Sequence, residues 1–265
     1  MNDLPPGDVA ATLASNVLGV LGDDLVGLYL YGSAVSGGFD PGVSDIDLVA
    51  VTATDVGALD LAALDRMHGH FLGRFPEWSD RLEIVYVGRE TLRTFRTSRG
   101  GLAVISPGEP FHVREELAAE WLQNWYLVRE TGVCLHGAEA AAVVPPIAWP
   151  EYVAATVRYA DEVRNRSRVD AGPRDIAYAI LTMCRAFRTV RTHAQSSKQE
   201  GVAWARDRIP EWAWLIDAAI ECRLSRGTVG FKDEPSRAAA ERFIAQLGDE
   251  VPRAASQFDN PVSRS

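Results

Sequence analysis

LYLYGSAVSGGFDPGVSDIDLVAV, running from Leu28 to Val51, decides how the rest of the chain is read. An apolar strand ends at Tyr31, the small residues Gly32 and Ser33 turn the chain, a glycine-rich loop runs to Ser44, and a second strand carries Asp45 and Asp47. Alternate residues of a strand project to one face, so the two carboxylates converge where the first strand delivers its turn. Gly32 permits close backbone approach, and the Ser33 hydroxyl and N–H suit a terminal phosphate. The segment Ser33 to Gly38 is small enough to begin a short helix whose free N–H groups face the same point. Mg²⁺ takes octahedral oxygen ligands and commonly binds through one or two carboxylates and phosphate oxygens. The stretch therefore reads as a place where a divalent metal and a phosphate meet.

Working outward, Asp8 to Gly22 has apolar residues at helical spacing, and Leu25 to Tyr31 and Ile46 to Thr52 read as strands. Leu59 to Phe75 is helical in pattern and stops before Pro76. Within it His68 and His70 stand at i and i+2, which do not face each other on a helix, and both are expected at the surface. Leu82 to Val87, LEIVYV, is a third strand in which Glu83 is out of place, because burying an unpaired carboxylate is costly. If that strand pairs near the second one, Glu83 joins Asp45 and Asp47 as a third acid, able to share a second metal or take a proton from an attacking hydroxyl. Thr91 to Pro110 shows no assignable element and is expected to be a long loop, and Glu115 to Glu130 is expected to be a helix bearing Trp121, Trp125 and Tyr126.

The composition changes at Val143 to Pro150, VVPPIAWP, where adjacent prolines make a stiff connector. Helical patterns follow over about Pro150 to Arg168, Pro173 to Thr192, Ser197 to Arg208, Pro210 to Arg226 and Pro235 to Leu247. Ser197 with Glu200 has the form of a capping box, and Pro173 and Pro210 suit first-turn positions. The expected fold class is α+β: a first domain over residues 1–146 with a mixed β-sheet flanked by helices, an all-α helical bundle over 147–252, and a flexible tail over 253–265.

The 265 residues are 47% hydrophobic and 24% charged, an ordinary globular balance. A net charge of -9 argues against a nucleic-acid partner, which calls for a basic stripe, and is compatible with a cationic small molecule. Three widely spaced cysteines indicate neither a disulfide framework nor a zinc site. No apolar run approaches about 18 residues and the start MNDLPPGD lacks the form of a signal peptide, so a cytoplasmic protein away from membranes is expected, and a monomer. Three acids crowded together would repel a nucleotide, so metal ions and basic side chains must compensate them.

Gly-Ser followed by Asp-x-Asp, here Gly32, Ser33, Asp45 and Asp47, resembles the signature of the DNA polymerase β-like nucleotidyltransferase superfamily. The chain as a whole, roughly Asp8 to Leu247, more closely resembles the AadA-type aminoglycoside (3'')(9) adenylyltransferases, through LEI in the third strand, WYLVRETGVCLHG, DIAYAILTMCRAFRTV and SSKQEGVAWARDRIP. The resemblance implies transfer of AMP from ATP to a hydroxyl of streptomycin or spectinomycin, with two Mg²⁺ ions and release of pyrophosphate. It implies that Asp45 and Asp47 are metal ligands, that Glu83 is a metal ligand and general base, and that Gly32, Ser33, Arg185 and Lys198 bind ATP. Asp175 matches an acid that binds the cationic acceptor, and Trp121 and His112 are named as substrate-binding from a group that also holds Phe111 and Trp125. Two positions depart from the family pattern: a second drug-binding acid falls at Ala171, with Asp170 beside it, and an adenine-contacting aromatic falls at Leu224. A nucleotidyltransferase acting on another small-molecule or protein acceptor, or a non-enzymatic nucleotide-binding regulator, are the alternatives.

Overall fold

The computed structural model describes residues 7–98, 100–114, 118–167 and 171–257; Glu115 and Asp170 lie outside the described residues. The chain divides into two compact units, one ending at Ile147 and one beginning at Ala148. Among the described residues no helix is long and apolar enough to cross a membrane.

The first unit runs through α1 (Gly7–Leu21), β1 (Leu25–Tyr31), β2 (Ile46–Thr52), α2 (Leu61–Arg74), β3 (Leu82–Gly88), α3 (Arg89–Arg93), β4 (Leu102–Ser106), β5 (Glu109–Arg114), α4 (Leu122–Thr131), β6 (Val133–Gly137) and α5 (Ala140–Val143). The strands form one mixed sheet in the order β5-β4-β3-β2-β1-β6. β1 and β2 are antiparallel, whereas β2 and β3 are parallel and joined through α2. The three central strands are almost continuously apolar because both of their faces are covered. One face, made by Leu28, Leu30, Ile46, Leu48, Leu82 and Ile84, packs with Leu13 and Val17 of α1 and Leu64 and Phe71 of α2 in a single core. The alternate residues, Tyr31, Asp47 and Glu83 among them, therefore lie on the opposite face.

The structure departs from several of these expectations. Thr91 to Pro110 is not a loop: it contains most of α3, all of β4 and the start of β5. β4 and β5 form a hairpin in which Ser106 pairs with Glu109 across Pro107 and Gly108, the latter at φ +79°. A short strand flanked by glycines gives too few alternating positions to read. VCLHG, to which the sequence pattern assigns no element, is β6, which pairs antiparallel with β1. The segment after Tyr31 closes as one 3-10 turn, Gly32–Ala34, rather than beginning a helix. The expected helix from Glu115 is, where described, a 3-10 turn at Ala118–Trp121 followed by α4.

The second unit is helical: α6 (Trp149–Arg166), α7 (Pro173–Thr192), α8 (Lys198–Arg208), α9 (Ala213–Leu224) and α10 (Glu234–Ser256). α7 packs against each of the other four helices and is buried along most of its length. Ser197 and Glu200 form the expected capping box, with Glu200 N–H donating to Ser197 Oγ at 3.2 Å and Ser197 N–H donating to Glu200 Oε2 at 2.8 Å. Pro173 and Pro210 occupy first-turn positions. α10 continues through Pro252 to Ser256, past the expected fraying point, with Val251 and Ala254 buried in the helical core.

His68 is not a surface residue. His70 is exposed, but His68 is 1% exposed, sharing a 2.9 Å hydrogen bond with the Tyr86 hydroxyl through Nε2 and lying 5.4 Å from the Phe111 ring. The rule that keeps i and i+2 apart on a helix turns one of the pair into the core. Burial lowers the His68 pKa from 6.5 to about 4. Below pH 6.5 the unfolded chain binds a proton at this residue that the folded chain takes up only near pH 4, so its stabilising contribution is lost as pH falls through that window. Chemical denaturation of wild type and His68→Leu should show the wild type losing up to about 1.4 kcal/mol more per pH unit between pH 6.5 and 4. Parallel pH profiles would contradict this assignment.

Candidate active site

Register places the acids of the first unit. Tyr31 of β1 pairs with Asp47 of β2, and Asp47 pairs with Glu83 of β3, so the three stand side by side on the sheet face away from α1 and α2. The Tyr31 hydroxyl donates to Glu83 Oε1 at 3.1 Å. Tyr31 is buried, and this burial first, then the charges of Glu83 and Asp47, hold its phenol well above the ordinary value. It is therefore a proton donor to Glu83 throughout the neutral range. Asp47 and Glu83 are each half-buried, as is Asp45 just ahead of β2.

Gly32 follows Tyr31 at φ +71°, and a Cβ there would lie 2.2 Å from Asp47 Oδ2. Both the backbone conformation and the approach of the carboxylate demand glycine. The Gly32 carbonyl accepts from Ser36 N–H at 3.1 Å and holds the turn that carries Ser33. Among the described residues no group of three His, Cys, Asp or Glu side chains is arranged to hold a metal ion by protein donors alone. The donors present are carboxylate oxygens, the hard type that Mg²⁺ takes. One or two of them suffice where phosphate and water complete the shell, and the residues therefore fit that ion.

His112 and Trp121 stand on other elements of this unit. His112 is on the edge strand β5, where Nδ1 lies 2.7 Å from the Pro110 carbonyl and Nε2 accepts from Arg114 Nε at 2.9 Å. The Trp121 ring packs 6.1 Å from that of Trp125, whose indole N–H donates to the Ala118 carbonyl at 2.7 Å.

In the second unit, Asp175 is exposed in the first turn of α7, and its Oδ2 accepts from Gly172 N–H at 3.0 Å. Lys198 opens α8, with its ammonium 4.9 Å from the centroid of the Tyr178 ring. The Tyr178 hydroxyl is bonded to that of Tyr159. Burial and then Tyr178 push the Tyr159 phenol well above its ordinary value, while Arg185 and Arg166 act in the opposite sense. Lys198, Tyr178, Tyr159 and Arg185 thus form one cluster. α8 approaches α7 closely enough that a Cβ on Gly201 would lie 2.6 Å from the Arg185 Cα, which is why a glycine stands there.

Residues 142–248, a span of less than half the chain, match the family model described as aminoglycoside adenylyltransferase, C-terminal domain. The second unit is thus similar to this domain over most of its length. The whole chain is similar to a solved structure, spectinomycin adenyltransferase AAD(9) from Enterococcus faecialis with ATP and spectinomycin, at a TM-score of 0.68 and 17% identity, over 91% of this chain and 98% of that one. At that identity the likeness shows the fold. No match is found among the curated proteins.

Sequence reasoning missed Tyr31 in the sheet, and Tyr159 and Tyr178 in the helical unit. Tyr178 had a readable signal: it follows Asp175 by three residues and precedes Arg185 by seven, so all three share one side of α7. Tyr31 had none, because a tyrosine ending an apolar strand reads as core. Substituting Gly32→Ala should lower stability by about 1–3 kcal/mol in thermal or chemical unfolding, through the strained φ and the collision with Asp47. A variant as stable as wild type would show that the turn and the carboxylate are free to separate.

Proposed function

We propose that the protein transfers AMP from ATP to a hydroxyl of a cationic aminocyclitol or aminoglycoside, with spectinomycin and streptomycin as the acceptors to test. The observation that carries this reading is the row Tyr31, Asp47 and Glu83 across three paired strands, in a chain whose second unit matches the adenylyltransferase domain. The similarly folded protein was solved with ATP and spectinomycin, which supports the choice of co-substrates.

Each residue has a role that its chemistry allows. Asp45 and Asp47, with Glu83, would hold Mg²⁺, which when bound supplies charge neutralisation and orientation of the phosphates. Gly32 and Ser33 bind phosphate oxygens through the backbone and the hydroxyl. Glu83 takes the proton of the acceptor hydroxyl as its oxygen bonds to the α-phosphorus, and the bond to pyrophosphate breaks with the electron pair leaving on the departing oxygen. Tyr31 orients the Glu83 carboxylate through its hydrogen bond. Lys198 and Arg185 offset charge on the triphosphate, and Asp175 attracts the cationic acceptor. His112 and Trp121 are assigned to the acceptor by resemblance, with their rings as the contacting groups.

Glu83→Gln keeps an oxygen to accept from Tyr31 and loses the base. It should reduce pyrophosphate release by about 10²–10⁴-fold while ATP binding, read by calorimetry, stays measurable. Turnover at the wild-type rate would remove Glu83 from the mechanism. Expression in a susceptible bacterium should protect it from spectinomycin or streptomycin. Failure against both drugs, with ATP consumed on another acceptor, would sink the antibiotic assignment and leave nucleotidyl transfer standing.

A further inference from the structure

The geometry points to Arg81 as the positioning residue for the metal-binding carboxylates, an inference that rests on the proposed function and goes beyond it. Arg81 is 6% exposed and stands just ahead of β3, two residues before Glu83. Its Nε donates to the Ser44 carbonyl at 2.9 Å, and its Nη2 donates to the same oxygen. Its guanidinium lies over the Trp78 ring at 4.2 Å. Its own carbonyl accepts the Ile46 N–H at 2.9 Å, and its N–H donates to the Trp78 carbonyl at 3.0 Å. One residue therefore ties the entry of β2 to the entry of β3 by side chain and backbone together.

The tie acts on Asp45 in particular. A peptide group is planar, so fixing the Ser44 carbonyl fixes the plane that delivers the Asp45 nitrogen, and only the dihedrals of Asp45 itself remain to aim its carboxylate. Ser44 is 2% exposed and is held from its other side: its N–H donates to the Asp40 carbonyl at 2.9 Å, and its Oγ accepts from the Asp40 N–H at 2.9 Å. The glycine-rich loop is thus closed at Asp40 to Ser44 and clamped by Arg81 immediately before the acid. A guanidinium is costly to bury, and a leucine or methionine would fill the space next to Trp78 without that cost. What the arginine adds is a pair of directed N–H donors on the carbonyl immediately ahead of Asp45. Groups that orient metal ligands in this way commonly change metal affinity 10–100-fold when removed.

The test uses the full chain, Mn²⁺ as an electron-paramagnetic probe, and the Mg²⁺ dependence of pyrophosphate release. Arg81→Met should weaken Mn²⁺ binding about tenfold or more and raise the Mg²⁺ concentration for half-maximal rate by a similar factor. Its rate at saturating Mg²⁺ should recover towards that of wild type. Arg81→Lys, which keeps the charge and can offer a donor, should fall between the two. A folded Arg81→Met whose thermal midpoint drops while Mn²⁺ affinity and Mg²⁺ requirement stay at wild-type values would overturn the proposal and leave Arg81 as a loop staple. Should Arg81→Met fail to fold, Arg81→Lys and Trp78→Leu decide instead, with unchanged Mn²⁺ affinity in both counting against the proposal. Asp45→Asn separates the two levels: wild-type Mn²⁺ affinity in that variant removes the metal reading itself and the Arg81 role with it.

Discussion

The parallel pairing of β2 with β3 in one register is the constraint on which the candidate site depends. With Ile46 opposite Leu82, Asp47 meets Glu83, and the antiparallel β1 brings Tyr31 to the same row. A slip of one residue would turn every side chain of a strand to the opposite face, driving its acid into the core beneath α1 and α2 and its leucines out. The core therefore enforces the site: Leu28, Leu30, Ile46, Leu48, Leu82 and Ile84 fill one face, and the acids occupy the other as a consequence. No local preference of Asp47 or Glu83 is needed.

Each unit arranges its own charges, the first around that row. The buried Tyr31 phenol donates to Glu83, and its proton is held by burial and by both carboxylates. Arg81 contributes a guanidinium at the strand entry through the Ser44 carbonyl. The second unit carries Arg185 and Lys198 on two helices whose close approach Gly201 permits, with Lys198 held against Tyr178 and Tyr178 against Tyr159. The Asp175 carboxylate, which the proposed function assigns to the cationic acceptor, also caps the N-terminus of α7. A helix start fixes such a carboxylate in place, which reduces the ordering needed on binding.

Much of this was legible before any coordinates. The Gly-Ser turn, the Asp-x-Asp strand, Glu83 in LEIVYV, the proline-marked connector and the capping box at Ser197 each rest on residues a few positions apart, and local spacing suffices to read them. β4, β5 and β6 were not legible. β4 and β6 are five-residue strands beside glycine, and β5 is an exposed edge strand whose alternation is broken by Pro110, so none carries a periodic pattern long enough to separate from loop. His68 was misread because helical spacing says which residues oppose each other and not which side meets the sheet.

The order of residues alone supplies the chemical inventory: carboxylates next to a Gly-Ser turn in one half, and an acid with two basic residues in the helical other half. Folding is what brings β3 directly beside β2, Tyr31 to Glu83, Arg81 to Ser44, and Tyr159 and Tyr178 to Lys198. The reason is physical. Residue types and short spacings are set along the chain, whereas strand order, register and helix pairing are settled by which packing buries the most apolar surface with every polar group satisfied, and that choice involves residues far apart in sequence.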